Sequence, residues 1–546
     1  MMRSRFLLML ALALGAASCT QDGSNPPEPG GVQTPPRSGG TLRVLLAEDV
    51  DALDPQRAAH PAAWGLLRAM HRGLMAFPAQ AAPGGSRPVP DLAENTPAVS
   101  PDGLRYEFKL REGSAFGSPA ARPIGAADVK AGLERAISAG SPIAGYLRVI
   151  AGADAFAAKR ATGISGVTTP DARTVVITLA RPVNDLLWLL ATPAASAVPP
   201  GLPPVTAPDK ISASGPYQLD EGGYKAERSI TLVRNLSWNK DSDPVRAAWV
   251  DGISVEIGIA PDEIQKRLLV GQADLSGDVG PGALSGVPAE RLVRAPSGCV
   301  RYLFMNTRVA PFSRPVRVAV AAALPRATIA TSYAGSAVAA GALLPPNVDG
   351  YDPGRVAPSP DPAAAKSALA AAGRPEGFAT RLVVGNQSVD RAHAAAVRVA
   401  LAAVGVRVDV RTIPIASLYE DQYEVPSARV PMGIATWCAD WPGLGGRGAL
   451  APLVDGRTIA GRGNTNYSGI ADPRLHALLD AAAGERDPAA AAERWREADV
   501  EAQRQAAVVP LAYLSEASLL GADVRGFVPH PYFLRGDLTA VWLDRF

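Results

Sequence analysis

Between residues 104 and 111 apolar and charged positions alternate strictly. Leu104, Tyr106, Phe108 and Leu110 are separated by Arg105, Glu107, Lys109 and Arg111. A period of two sends the two sets to opposite faces of an extended chain, so the segment predicts a strand with one buried face. Val175, Ile177 and Leu179 repeat the pattern, as do Ile253, Val255, Ile257 and Ile259. Gly39-Gly40-Thr41 leads into Leu42, Val44, Leu45 and Leu46, which predicts a first strand. Helices are marked by their ends. Asp361-Pro362, Asp472-Pro473 and Asp487-Pro488 each join a capping carboxylate to a proline at the first helical position. Gly373 and Gly484 are expected to end the first two of these helices. Val397, Leu401 and Val404 form one helical face, and Gly405 then introduces a strand in which Val406, Val408 and Val410 alternate with charged residues. A helix feeding an alternating strand, repeated along the chain, predicts an α/β protein.

Length adds that the fold is divided. A chain of 546 residues far exceeds a usual core of about 100–200, so two or more lobes are expected. Apolar residues at 47% and charged residues at 19% suit large buried cores, and 53 Gly with 50 Pro predict frequent turns.

The first residues depart from this pattern. Arg3 and Arg5 precede an apolar run from Phe6 to Ala17 and a Ser18-Cys19 junction, the parts of a secretory signal over residues 1–18. The run is too short for the roughly 20 residues that span a bilayer. Leu14-Gly15-Ala16-Ala17-Ser18-Cys19 resembles a bacterial lipobox, which implies that Cys19 is acylated and becomes the mature N-terminus. Ala16 departs from the usual Leu, Val or Ile of that motif. Residues 19–40 then read as the lipidated cysteine and a disordered tether, because their Gly, Pro and polar residues cannot bury enough surface to fold. The expected location is extracytoplasmic, on the outer face of the plasma membrane, held by the lipid anchor.

Charge and candidate chemistry exclude more than they assert. Lys and Arg number 54 against 52 Asp and Glu, and the only charges in the leader are Arg3 and Arg5, so the mature chain is near neutral. A nucleic-acid binder would show a basic stripe. His60, His71, His393, His476 and His530 are scattered without metal-ligand spacing, and no Cys-x-x-Cys occurs. Neither a Gly-x-Ser-x-Gly elbow nor a Gly-Lys dipeptide for a phosphate loop is present. Gly443 to Gly448 satisfies Gly-x-Gly-x-x-Gly, but Pro442 precedes it and no helical pattern follows, so it reads as a flexible loop. No enzyme, cofactor or metal is expected. Beyond Cys19, Cys299 and Cys438 form an isolated pair, which in an exported protein fits either a disulfide or two buried thiols.

Several blocks stand in a recurring order. They are Pro90-Asp91-Leu92-Ala93-Glu94 with Ser100 to Gly113, Ala126 to Ala136, Ser214-Gly215-Pro216-Tyr217, and Leu268 to Asp274. Met305-Asn306-Thr307 with Pro311-Phe312 follows, and then Trp437-Cys438-Ala439-Asp440-Trp441-Pro442 with Asn466-Tyr467 and Asp472 to Leu475. Together they resemble the extracellular solute-binding proteins of the peptide/nickel family, family 5, over nearly the whole mature chain.

That resemblance implies a two-lobed flytrap with an additional subdomain inserted in the first lobe. The lobe I core would comprise residues 41–75, 210–297 and 518–546, the inserted subdomain 76–209, and lobe II 298–517. It implies an oligopeptide or dipeptide ligand enclosed between lobes, delivery to ABC permease subunits served by separate ATPase subunits, and a monomer. A nickel chelate, haem, opine or sugar, or a peptide signal, are the alternative ligands. In the family's peptide binders an Asp in the Trp-x-x-Asp segment holds the ligand's α-ammonium, which implies that role for Asp440; capping of the turn before Pro442 is the structural alternative. Trp437 and Trp441 would wall the cleft or pack the core. Asn306 and Tyr217 fall near the expected lobe crossings, as ligand contacts or as structural hydrogen bonders. His60 and Trp64 would rim the cleft.

Overall fold

The computed structural model describes residues 35–279, 287–533 and 536–545. The expected leader, Cys19 and the tether up to residue 34 lie outside them. Leu42 and Val44 of the first strand, Thr41–Leu45, enter one core, and Leu45 enters another on the opposite face. This strand pairs in parallel with Gly252–Glu256, whose Ile253 and Val255 are also buried. Strands covered on both faces suit parallel pairing.

The proline-marked helices run Pro362–Ala371, Pro473–Gly484 and Pro488–Gln505. Asp361, Asp472 and Asp487 accept from the backbone N–H groups of Ala364, Leu475 and Ala490 at 2.8, 2.9 and 2.8 Å. Each cap satisfies a donor that the first helical turn leaves free. Gly373 follows the first helix in the left-handed region at φ +73°. The second ends differently: Glu485 is extended, at φ −70° and ψ 129°, so Gly484 is not a left-handed cap. Helix Ser388–Ala402 buries Val397 and Leu401, and Val406–Ile413 follows as an edge strand.

Eleven strands form one sheet. Across it the order is Val406–Ile413, Phe378–Gly385, Met432–Cys438, Leu292–Met305, Val508–Leu520, Leu275–Ser276, Thr41–Leu45, Gly252–Glu256, Ser229–Arg234 and Tyr217–Lys225, with Ala337–Ala339 also beside Val508–Leu520. The antiparallel pair at its centre, Leu292–Met305 and Val508–Leu520, spans both halves. Leu275 pairs Leu520 at one end, and Cys299 to Met305 pair Cys438 to Met432 at the other. Between those ends the register breaks, from Pro296 opposite Ser515 to Val300 opposite Tyr513. Gly298 sits in the break at φ +71°, where a Cβ would stand 2.4 Å from Asn347 Nδ2, so no other residue fits unchanged.

A separate antiparallel sheet of Ala98–Val99, Arg105–Lys109, Thr174–Thr178 and Val167–Asp171 is inserted between the first strand and Tyr217–Lys225. Helix Ala126–Ser138 packs on it, with Leu133, Phe108, Val175 and Ile177 in one core. The architecture is α/β and two-lobed, with this sheet as the additional subdomain.

Buried ion pairs join elements distant in sequence, and one of them reaches the C-terminal segment. Asp91 accepts from Arg72 Nε at 2.7 Å and from Arg246 Nη1 at 2.9 Å, and Asp243 lies beside both arginines. Arg68 meets Asp537 at 2.6 Å, and Arg135 meets Asp54 at 2.6 Å. All these side chains are nearly inaccessible. Removing one member of a buried pair strands its partner, a loss of about 3–5 kcal/mol, whereas an exposed pair contributes about 0–1 kcal/mol. Asp91→Ala is therefore expected to destabilise by at least about 3 kcal/mol, and Arg381→Ala, which breaks the exposed Arg381–Asp409 pair, by less than about 1. Equilibrium urea denaturation of the two variants checks this, and equal losses would contradict it.

Cys299 and Cys438 stand opposite each other in register, with Cα atoms 3.9 Å apart, and their sulfurs are bonded. The bond closes a loop across 139 residues of sequence, so its reduction is expected to cost roughly 4–5 kcal/mol on loop-entropy grounds. Alkylation under denaturing conditions should label neither thiol before reduction and both after it.

Candidate functional site

Strand Met432–Cys438 delivers Trp437 and Cys438 to the register break at the centre of the sheet, and the disulfide pins them to Cys299. The chain then turns: Ala439 N–H donates to Gly298 O at 3.0 Å, and Asp440 N–H reaches Gly448 O at a long 3.5 Å. Trp437 is half-buried, and its Nε1 donates to the same Gly448 oxygen at 2.9 Å. A Cβ on Gly448 would come within 3.0 Å of Asp440 Cβ, so this glycine lets the two segments close on each other.

Asp440 Oδ2 accepts a 2.5 Å hydrogen bond from the hydroxyl of Tyr146, on the short helix Ala144–Leu147 of the inserted subdomain. The residue as a whole is half-buried, but desolvation dominates at its carboxyl. Burial drives the carboxyl up to about 7, against the smaller pull of the Tyr146 hydrogen bond. The same burial, then the field of Asp440, holds the Tyr146 hydroxyl well above the usual phenol range. The neighbouring cation is already engaged. Arg447 stacks over Tyr146 at 5.3 Å and Trp441 at 5.7 Å, while its guanidinium is held by Asp185 at 2.7–3.1 Å.

Tyr532 completes the surroundings. It is buried, its ring lies 4.7 Å from Trp64 and nearly parallel to it, and its hydroxyl is raised by burial and then by Asp440. His530 fixes this segment. Nδ1 accepts from the backbone N–H groups of Tyr532 and Phe533, and Nε2 lies 3.0 Å from Pro78 O. Burial pushes that imidazole down to about 3, so it stays neutral and serves as an acceptor and a donor at once.

Of the residues singled out in the sequence, Asp440 and Trp437 share this site, and Trp64 borders it through Tyr532. Trp441 is fully inaccessible: its Nε1 donates to Leu444 O and its ring meets Tyr146 edge-on at 4.8 Å, so it packs the core beneath the site. Tyr217 is also fully inaccessible, and its hydroxyl donates to Val250 O at 2.8 Å within the core of the first strand, the structural of the two roles its sequence position allows. Asn306 lines a different cavity. His60 is exposed just ahead of helix Pro61–Met70, one turn before Trp64. The loop Gly443–Gly448 is packed and not loose, since a Cβ on Gly446 would overlap the Trp495 ring. Tyr146, Asp185, Arg447 and Tyr532 carry no motif that sequence reasoning could have used.

Comparison with known proteins adds the family. A profile described as bacterial extracellular solute-binding proteins, family 5 Middle, matches residues 87–445. Heme-binding protein A of Haemophilus influenzae is 26% identical over 468 residues, covering 81% of this chain and 82% of that protein. Glutathione-binding protein GsiB of Salmonella typhi is 26% identical over 62% of each chain. Among solved structures, clavulanic acid biosynthesis oligopeptide binding protein 2 superposes with a TM-score of 0.85 at 29% identity, covering 93% of this chain and 96% of that one. A structure titled as the binding protein AgaA in complex with agropinic acid, from A. tumefaciens R10, shares the fold with a TM-score of 0.73 at 24% identity, over 93% and 99%. With a profile match over more than half its length, the chain belongs to family 5 of the bacterial extracellular solute-binding proteins.

Proposed function

We propose that this solute-binding protein of an ABC transporter captures oligopeptides or dipeptides, seating the ligand's α-ammonium on Asp440 and handing the ligand to permease subunits. One observation carries the reading: among the described residues, Asp440 is a desolvated carboxyl whose hydrogen-bond partner is a neutral hydroxyl. A ligand ammonium would supply the missing charge through a short, charge-assisted hydrogen bond. Trp437 and Trp64 offer flanking apolar surface of the kind that accepts varied side chains. Among the relatives, glutathione is itself a peptide with a free α-ammonium, and an oligopeptide binder stands among the similar structures. Haem and agropinic acid, named for two other relatives, lack support from any comparable feature of this site.

The lobe assignment proposed with it is 41–75, 210–297 and 518–546 for the lobe I core, 76–209 for its subdomain and 298–517 for lobe II. The register break at Pro296–Val300 and Tyr513–Ser515 supports the two crossings. Tyr146 and Asp440 then sit on opposite sides of the cleft, and a ligand touching both lobes favours their closed arrangement. Acylation of Cys19 would hold the protein at the outer face of the membrane. Among the described residues no helix is long and apolar enough to cross one.

Asp440→Ala is expected to weaken a bound peptide by about 2–4 kcal/mol, because a buried ammonium loses its partner. Calorimetry with di- to hexapeptides beside sugars, nickel chelates and haem measures this. Peptide binding of unchanged strength in the variant would remove Asp440 from the site, and binding of another class alone would retire the peptide reading. Binding is also expected to weaken toward tenfold per pH unit as pH falls below about 7, where the empty carboxyl takes up a proton.

The same carboxyl sets a stability prediction. With its value raised to about 7 from an ordinary 3.8, the folded chain holds the proton more tightly than the unfolded chain does. That stabilisation is complete below the ordinary value and is lost as pH rises to about 7. Asp440→Asn escapes the loss, so its stability relative to the parent is expected to grow by about 2–3 kcal/mol between about pH 5 and 8. Denaturant melts of both proteins at the two pH values test it, and a constant difference would show that the carboxyl is not desolvated.

A further inference from the structure

A cavity of about 320 Å³ lies away from Asp440. Its wall includes Phe304, Asn306 and Tyr467, with Arg308 and Arg429 at its edge. Phe304 pairs with Gly433, five residues along the strand from the Cys299–Cys438 pair, a separation of roughly 16 Å at the usual strand rise.

Several features mark it as a candidate ligand site. Arg308 and Arg429 are exposed, and neither forms an ion pair with a carboxylate among the described residues; Glu420 and Glu424 do not line the cavity. Arg429 Nη2 donates to Arg308 O at 3.3 Å, so the two loops are joined where the charges gather. Arg429 also keeps a left-handed backbone at φ +48°, a strained state for a residue with a side chain. A Cβ on Gly469 would stand 3.0 Å from Arg308 Nε, so the bare glycine leaves room for that guanidinium. Asn464 lines the cavity at 3% exposure, and its Nδ2 donates to Asn466 O, but its Oδ1 has no hydrogen-bond partner. A buried acceptor left unpaired is costly and calls for a donor. Finally, Phe304, Tyr423 and Tyr467 form an aromatic wall with ring centres 4.9–5.5 Å apart.

We propose that this cavity is a second ligand site, independent of Asp440, for a small aromatic carboxylate that carries a hydrogen-bond donor. The two guanidinium groups select the negative charge, in the geometry that suits carboxylates. The rings take a flat apolar body, and Asn464 Oδ1 takes the donor. The volume lies at the lower end of ligand pockets, about 300–1,000 Å³, which limits the occupant to about the size of one amino acid. The inference stands apart from the peptide reading, and either can fail alone.

Indole-3-acetate is a suitable probe, since it joins a carboxylate, a flat ring system and one N–H. Titration calorimetry on the whole chain is expected to show saturable binding of indole-3-acetate and none of tryptamine, its cationic counterpart. The double variant Arg308→Gln, Arg429→Gln should bind at least about tenfold more weakly, as the loss of a charge-assisted contact requires. Both side chains are exposed, so an unchanged melting temperature confirms that this variant still folds. Asp440→Asn locates the probe, and it should bind indole-3-acetate as the parent does. The proposal is overturned by no saturable binding up to about 10 mM, by equal affinity in the double variant, or by loss of binding in Asp440→Asn.

Discussion

Pairing of buried carboxylates with guanidinium groups holds this structure together. An ionised carboxylate taken out of water is strongly unfavourable unless a cation or several N–H groups compensate it. Asp54, Asp91, Asp185, Asp390 and Asp537 each meet an arginine and are almost wholly inaccessible. Asp499, also buried, lacks a direct ion pair and instead accepts from the backbone N–H groups of Leu343 and Leu344 and from Gln503 Nε2. Asp440 breaks the rule. Its carboxyl has one neutral hydroxyl, and the arginine that stacks beside it is bound to Asp185. The engagement of Arg447 with Asp185 is what leaves Asp440 without a cation, because a free guanidinium there would neutralise it.

The fold makes that exception possible by what it brings to one place. Two long strands run through the sheet, and their register breaks where the chain needs a turn. Gly298 permits the break, its carbonyl holds Ala439, and the disulfide one residue away fixes the strand that carries Trp437. Asp440 follows two residues after the strand that the disulfide fixes, in a bend joined to Gly298 through Ala439. Tyr146 and Tyr532 come from segments nearly 300 and 90 residues away, and each is anchored separately, Tyr532 by His530 and Tyr146 by its carbonyl contact with Arg447.

Much of the scaffold was legible from local chemistry. The Asp-Pro pairs cap helices because a short carboxylate and a fixed φ do the same work in any context, and the alternation at Tyr106 and Phe108 follows from strand geometry alone. Asp440 was singled out only through family resemblance, since nothing around residue 440 in the sequence tells a ligand carboxylate from a turn cap, and its ligand role stands as a proposal. Tyr146, Asp185 and Tyr532 were illegible for a physical reason: their roles arise from tertiary neighbours far away in sequence, not from spacing. Tyr217 and Trp441 went the other way. Large aromatic residues beside a glycine-rich or proline-rich turn look available to a ligand, yet both have apolar bodies that the cores absorb and polar tips that a single backbone carbonyl satisfies. The Gly443–Gly448 loop misled similarly, because glycines that relieve crowding against Trp495 and Asp440 look the same in sequence as glycines that confer freedom.

The Tyr146–Asp440 hydrogen bond joins these threads. It connects the short helix Ala144–Leu147 to the segment that follows strand Met432–Cys438. A neutral hydroxyl is weak compensation for a desolvated carboxyl, an electrostatic penalty that a cation would relieve. On the proposed reading, a ligand bearing an ammonium group would gain affinity from closure, and closure would gain stability from the ligand. Such reciprocity is what thermodynamic linkage demands of a binding protein whose partner must distinguish loaded from empty. Substituting an apolar pair for Tyr146 and Asp440 would keep the contact and, on the proposed reading, abolish the distinction between loaded and empty forms, which would explain a destabilising carboxylate at this place.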